Sequence, residues 1–509
     1  MIKQTIVPQY LFLILIIPVL FGGYLPFISD FKVPVFVTVL LSVVYMIKSY
    51  DFDCKSELRV TRIISFCFLT GFIKFLLLDY YSFNVNAADF SFFDHLIPNS
   101  INGKFMYTAA DESIKMANHP YFIIWLLAPF QILLNSPLVF LIGHGVVLWS
   151  AWIPLYLLIK EYNSSAIVRI LFLLSFFTFP FVNRVLIFHF HPEVFYIPLF
   201  LWSYYFIIKD KKGLFFFISF LICSIKTDAP LYLFLFCLGL FMSKEMDKKT
   251  LLKIFVICTC FIALKLFFFT SYEISQKGLS PSDPIEKIKL VAINFYQVNL
   301  TQALKNISTT LTDGPWPILF PFLGIPLFIP QVAFVLWPIF LLYSIIDYAP
   351  IRGLYYYYSA PIIPFLFIGL IIFLRKKMKF ALAINFLLLG SFFLAQSNDY
   401  QREYIKFERP QYSYSTFEVM KSQIDMETGV LCTQGTLFPH FSFHQNLKLL
   451  RKDCLLDQHK YYLFNKSQSF FPYKSELEFQ KVFKRLDENS DYLKYQLRDF
   501  VLYKKISNF

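Results

Sequence analysis

Apolar runs separated by short polar segments set the rhythm of this chain from its start to about residue 395. A helix of about twenty apolar residues crosses the roughly 30 Å hydrocarbon core of a bilayer. Candidate spans on that pattern fall at 7–27, 33–48, 61–79, 138–159, 166–183, 194–209, 214–225, 230–242, 251–270, 318–330, 332–346, 360–374 and 381–395. The pattern therefore predicts a polytopic α-helical membrane protein with about thirteen transmembrane helices. The runs at 214–242 and 318–346 are short or merged. Residues 121–134 are apolar but too short for a comfortable crossing, and read as a helix lying in the interface. Lys3 precedes the first run and no small-residue cleavage site closes it, which predicts a retained span.

Beyond residue 395 the pattern changes. The tail mixes Lys, Asp and Glu with alternating apolar positions and holds no further span, as a small α/β domain outside the membrane would. Four segments result: N-terminal transmembrane helices at 1–81, an exported loop with amphipathic helices at 82–136, a transmembrane core at 137–395, and a C-terminal domain at 396–509.

Composition agrees with this reading. The 509 residues are 57% hydrophobic, 20% aromatic and 16% charged, against about 25% charged in soluble chains. So much apolar surface must face lipid. The net charge of +13 is spread over short clusters such as Lys209, Lys211 and Lys212, or Arg375, Lys376, Lys377 and Lys379. These sit between apolar runs, as cytoplasmic loops beside anionic lipid do, and not as a nucleic-acid-binding stripe. Placing them in the cytoplasm puts the N-terminus there and the tail outside. Of eight cysteines, six lie in or near spans. Only Cys432 and Cys454 fall in the tail, where an oxidising compartment would let them pair as a disulfide.

The unusual polar residues then gather on the extracytoplasmic face. Asp89 and Asp94 follow the third span. A carboxylate at the membrane boundary can take the proton of an incoming hydroxyl; the plainer alternative is one helix cap and one solvated acid. His119 opens the interfacial run. Arg184, His189, His191 and Glu193 lie between two spans, and Arg184 with the two histidines suits recognition of an anionic group. A divalent metal on the two histidines and Glu193 is a second possibility, though no cofactor is required. Lys226 and Asp228 sit between two short apolar runs, where ionisable groups either pair locally or line a polar recess. Tyr357 and Tyr358 belong to a run of four tyrosines with the character of an interfacial belt, whose hydroxyls can also hold a phosphate or a sugar.

The order from Asp89 to Lys160 resembles the first exported loop and following span of the GT-C glycosyltransferases, polytopic enzymes that use lipid-linked sugars. It is similar to the protein O-mannosyltransferases and the aminoarabinose transferase of lipid A. A closer resemblance is to the bacterial family called domain of unknown function 2079. Its Tyr-Asp-Leu-Gly-Ile-Phe-Asp-Gln pattern is similar to Ala88-Asp89-Phe90-Ser91-Phe92-Phe93-Asp94-His95, and its His-Phe-Ser-Pro to His119-Pro120-Tyr121-Phe122. Phe188-His189-Phe190-His191-Pro192-Glu193 looks like its Phe-Asp-Phe-His-Pro-Glu. Lys226-Thr227-Asp228 and Tyr356-Tyr357-Tyr358-Ser359-Ala360 look like its Lys-Glu-Asp and Tyr-His-Tyr-Ser-Ala. In the tail, Phe438-Pro439-His440-Phe441-Ser442 is similar to a Pro-His-Leu-Ser segment. The chain departs at His189, Thr227 and Tyr357, where the family has Asp, Glu and His.

The resemblance implies an inverting GT-C-like transferase of the bacterial inner membrane. It would move a sugar from a polyprenyl-phosphate donor to a glycan, lipid or protein acceptor outside the cytoplasm. Asp89 would be the base and Asp94 its reserve. Lys226, Arg184 and His191 would offset charge on the leaving phosphate, and His440 would help hold the acceptor. The competing expectations are a transporter or flippase of lipid-linked substrates, with broken helices near the midplane, and a scaffold whose tail binds a partner.

Overall fold

The computed structural model describes residues 54–85, 90–110, 113–114, 121–162, 165–265, 316–346, 351, 353–376, 410–425, 429–444, 446–450, 459–467, 473 and 475–506. The expected spans at 7–27, 33–48 and 381–395 lie outside these, as do Asp89, His119 and Cys454. Two compact units emerge. The first lies within residues 1–72, 145–188 and 192–406, the second within 73–144, 189–191 and 407–509. The exported loop and the tail, separate segments by sequence pattern, thus belong to one unit.

Among the described residues, three helices are long and apolar enough to cross a membrane: Glu57–Tyr81, Leu138–Glu161 and Tyr356–Arg375. A fourth candidate is the pair Val168–Phe177 and Pro180–Ile187, bent by 42°. Pro180 starts the second helix of that pair, and a proline ring cannot continue the preceding one without a break. The runs expected at 194–209, 214–225 and 230–242 form helices, but Lys212–Cys223 and Ala229–Met242 hold only 12 and 14 residues. Neither alone spans about 30 Å at 1.5 Å per residue.

The run at 318–330 departs from expectation. It is no continuous helix but the short turns Phe320–Phe322 and Ile325–Phe328, separated by Leu323 and Gly324 in the left-handed region. Pro321 and Pro326, near the start of each turn, remove donors that a longer helix would need.

The first unit is held by apolar packing and a few buried polar ties. Phe367 is ringed by Phe172, Phe176, Phe179 and Phe322 in edge-to-face geometry, the preferred arrangement of aromatic quadrupoles. Glu57, 1% exposed, accepts two bonds from the Arg169 guanidinium, each 2.5 Å, and one from Tyr156 at 2.9 Å. A buried carboxylate needs such compensation to stay ionised. Gly239 lets two helices meet. A Cβ there would stand 2.6 Å from the Gln331 carbonyl oxygen, where Ala229–Met242 runs against Pro330–Ile345.

The second unit carries a mixed five-stranded sheet. Its strands are β1 (Leu431–Thr433), β2 (Leu447–Leu449), β3 (Tyr461–Asn465), β4 (Tyr492–Leu497) and β5 (Phe500–Lys505), in the order β2-β1-β3-β5-β4. β1 pairs parallel with β2 and β3, while β5 runs antiparallel to β3 and β4. All five residues of β3 are buried, as a central strand covered on both faces requires. One face packs Leu431, Leu463 and Leu502 with Phe83, Phe417 and Phe438. The other packs Tyr462, Phe464 and Val501 with Phe479 and Val482 of helix Glu476–Asp487. Ser475 caps that helix, its hydroxyl accepting from the Glu478 amide at 3.3 Å, the Ser-x-x-Glu start signal. Cys432 of β1 is disulfide-bonded.

Candidate functional site

Polar side chains cluster in each unit. In the first, helix Lys212–Cys223 ends and Ala229–Met242 begins five residues after Ser224, leaving a turn that holds Lys226 and Asp228. The two do not pair locally, as the simplest reading of the sequence allowed. Lys226 donates to Glu193 at 2.6 Å, and its ammonium lies 5.7 Å from the centre of the Tyr357 ring. Asp228 accepts from Tyr196 at 2.7 Å and from Tyr232 at 3.0 Å. Tyr357 donates to the Tyr358 hydroxyl at 3.0 Å and packs on Phe188. Arg184 stacks its guanidinium over the rings of Phe181 and Tyr355.

This constellation brings together Glu193, Lys226 and Tyr357, which lie far apart in sequence. Charges in apolar surroundings persist only when paired or when they line a polar recess. Tyr196 and Tyr232 were not singled out by sequence pattern. One signal existed: Tyr232 stands four residues after Asp228, one helical turn away.

In the second unit, the helix Phe90–Asp94 delivers Asp94 into full burial. Ser442 of the tail hydrogen-bonds one of its carboxylate oxygens and also donates to the Pro439 carbonyl at 2.7 Å. A hydroxyl has one proton, so both bonds form together when Asp94 is protonated and donates to Ser442, which passes its own proton on to Pro439. Burial pushes the Asp94 carboxyl well above its usual range, in accord with that arrangement. His95, alongside, stacks on Phe438, and burial lowers its imidazole to about 3.

His440 is 4% exposed and, among the described residues, has no hydrogen-bond partner at either ring nitrogen. Burial, with Lys421 nearby, holds it well below its usual value and hence neutral. It sits among Tyr80, Phe83, Tyr414 and Phe417, with ring centres 4.2–5.7 Å away. His440 also lines a cavity of about 330 Å³ together with Tyr80, Tyr81, Asn135, Ser136, Tyr414, Lys421 and Ser442. Ser442 belongs to the Pro-His-Leu-Ser-like segment of the tail, whereas sequence pattern did not single out Tyr80, Tyr81, Tyr414 or Lys421, because a lone tyrosine or lysine in a mixed segment carries no periodic signal.

The His189–Glu193 segment takes separate partners. His189 hydrogen-bonds Asp79 through Nε2, with a backbone φ of 65°, a region costing a non-glycine residue roughly 1–2 kcal/mol. His191 packs edge-on against Phe93 and Tyr121, and Glu193 holds Lys226. Among the described residues no group of three His, Cys, Asp or Glu side chains converges as a metal site would.

A family model described as "Predicted membrane protein (DUF2079)" matches residues 79–498. No curated protein matches the chain. The match covers most of the sequence, and the chain belongs to this family of predicted membrane proteins. The three long apolar helices among the described residues fit that family as candidate membrane spans.

Proposed function

We propose that this family member is a GT-C-like inverting glycosyltransferase of the bacterial inner membrane, with about thirteen spans in all and its second unit outside the cytoplasm. The donor is a sugar on a polyprenyl phosphate, and the acceptor an extracytoplasmic glycan, lipid or protein. The observation that carries this reading is the Lys226–Glu193 pair beside Tyr357. A lysine ammonium buried beside a carboxylate and an aromatic ring is a cation suited to meeting a lipid-borne phosphate.

The chemistry divides into two roles. Asp89 takes the proton of the acceptor hydroxyl as that oxygen bonds to the anomeric carbon. The bond from the anomeric carbon to the phosphate oxygen breaks, and the polyprenyl phosphate departs with the electron pair. Lys226 stabilises the charge arriving on that phosphate, and His440 serves acceptor binding. Asp94, buried and hydrogen-bonded to Ser442, ties the first exported segment to the tail in this reading.

The test is transfer of radiolabelled sugar from polyprenyl-phosphate hexose in membranes carrying the chain. D89N is expected to lose about 10²–10⁴-fold of the rate at unchanged protein level, while K226R retains measurable transfer. Full activity in D89N would overturn the assignment. A flippase is the second reading, favoured by the 42° break between Val168–Phe177 and Pro180–Ile187; it predicts lipid translocation that D89N leaves untouched.

A further inference from the structure

The cavity of the second unit has a composition that points to a ligand class. Three of its side chains are tyrosines, and their rings meet one another: Tyr81 stands perpendicular to Tyr414 at 4.8 Å and to Tyr80 at 5.4 Å. His440 closes one side, its ring nitrogens bonded to none of the described residues. Such a wall offers flat apolar faces and hydroxyls at their edges, which suits a sugar ring with its apolar C–H face and polar rim. At about 330 Å³ the space lies at the small end of ligand pockets.

Charge narrows the class. Lys421 is the one charged side chain among the described lining residues, and none of these carries a carboxylate. Its ammonium spends one donor on the His440 carbonyl at 3.1 Å, leaving two more. Neutral His440 adds a donor on whichever nitrogen carries the proton. The helix Cys54–Tyr81 ends on Tyr80 and Tyr81, so the cavity lies at the end of a segment long enough to cross the membrane.

We propose that this cavity binds an anionic sugar, one monosaccharide unit bearing a carboxylate or phosphate, with the ring against the tyrosines and the anion at Lys421. The proposal rests on the transferase reading only for the bound sugar's role as acceptor; binding itself does not depend on it.

The full-length protein in phosphatidylcholine nanodiscs is titrated with glucuronate, glucose 1-phosphate and glucose, with binding read by saturation-transfer NMR and calorimetry. Both anionic sugars are expected to bind saturably, and glucose at least tenfold more weakly. K421M should erase that preference, K421R should keep it, and Y414A should weaken all three sugars. The comparison of sugars on the wild-type protein needs no variant, so a poorly folding K421M leaves the test intact. Equal affinity for the three sugars overturns the proposal. So does inorganic phosphate binding as tightly as glucose 1-phosphate, or displacement of glucuronate by phosphatidylglycerol in the nanodisc, which would assign the site to lipid headgroups. Loss of transfer with selective binding intact retires only the transferase reading. Transfer without selective binding retires only this inference.

Discussion

Glu193 and Lys226 meet at 2.6 Å with side chains 4% and 13% exposed, a buried ion pair. Breaking a buried pair by removing one member costs about 3–5 kcal/mol. E193Q and K226M alone are expected to lower the unfolding temperature in detergent sharply, while the double variant recovers most of the loss. Fluorescence-monitored thermal unfolding checks this. Single variants as mild as the double one would mean that the pair carries no structural load.

Asp94 makes a pH-dependent contribution whose sign follows from its burial. Its carboxyl is held well above the ordinary value of 3.8. Below that value both folded and unfolded states are protonated. As pH rises, the unfolded chain releases the proton while the fold keeps it, so stability is lost until the raised folded value is passed. D94N keeps a donor for Ser442 and has no proton to lose. It is expected to match the wild type near pH 4 and to exceed it by a margin that widens toward pH 8, measured as unfolding temperature against pH.

His95 acts in the opposite direction. Burial lowers its imidazole from 6.5 to about 3, so the fold holds it neutral while the unfolded chain takes up a proton. The stability it contributes is complete above 6.5 and is lost as pH falls toward 3. His440, also lowered by burial, adds to the same acid loss. H95Q and H440Q should each unfold less steeply between pH 6.5 and 4 than the wild type. An unchanged acid limb in both variants would place the loss elsewhere.

Much of the membrane pattern was legible from the apolar runs, because length and hydropathy decide whether a helix can cross. The spans at 61–79, 138–159 and 360–374 reappear as Glu57–Tyr81, Leu138–Glu161 and Tyr356–Arg375. Proline spacing broke the run at 318–330, which hydropathy alone does not register. In the candidate sites, sequence order identified Glu193, Lys226 and Asp228 but not their partners. Partner choice depends on tertiary approach: Lys226 reaches 33 residues back to Glu193 rather than two ahead to Asp228. Ser442 finds Asp94 across 348 residues. No local pattern encodes such pairings.

The close approach at Gly239 gives a sharp packing test. A methyl group there would stand 2.6 Å from the Gln331 carbonyl oxygen and 2.9 Å from that of Pro330. Both neighbours are backbone, so a rotamer change cannot make room, and the helices Ala229–Met242 and Pro330–Ile345 must separate. Overpacking of this kind costs about 1–3 kcal/mol. Gly213, in the first turn of Lys212–Cys223, has nothing within 4 Å of its added methyl. There alanine removes backbone freedom from the unfolded chain and is expected to gain up to about 0.5 kcal/mol. G239A should therefore lower the unfolding temperature in detergent, and G213A should leave it unchanged or raise it slightly. Equal effects of the two substitutions would show that the helices pack with slack at Gly239.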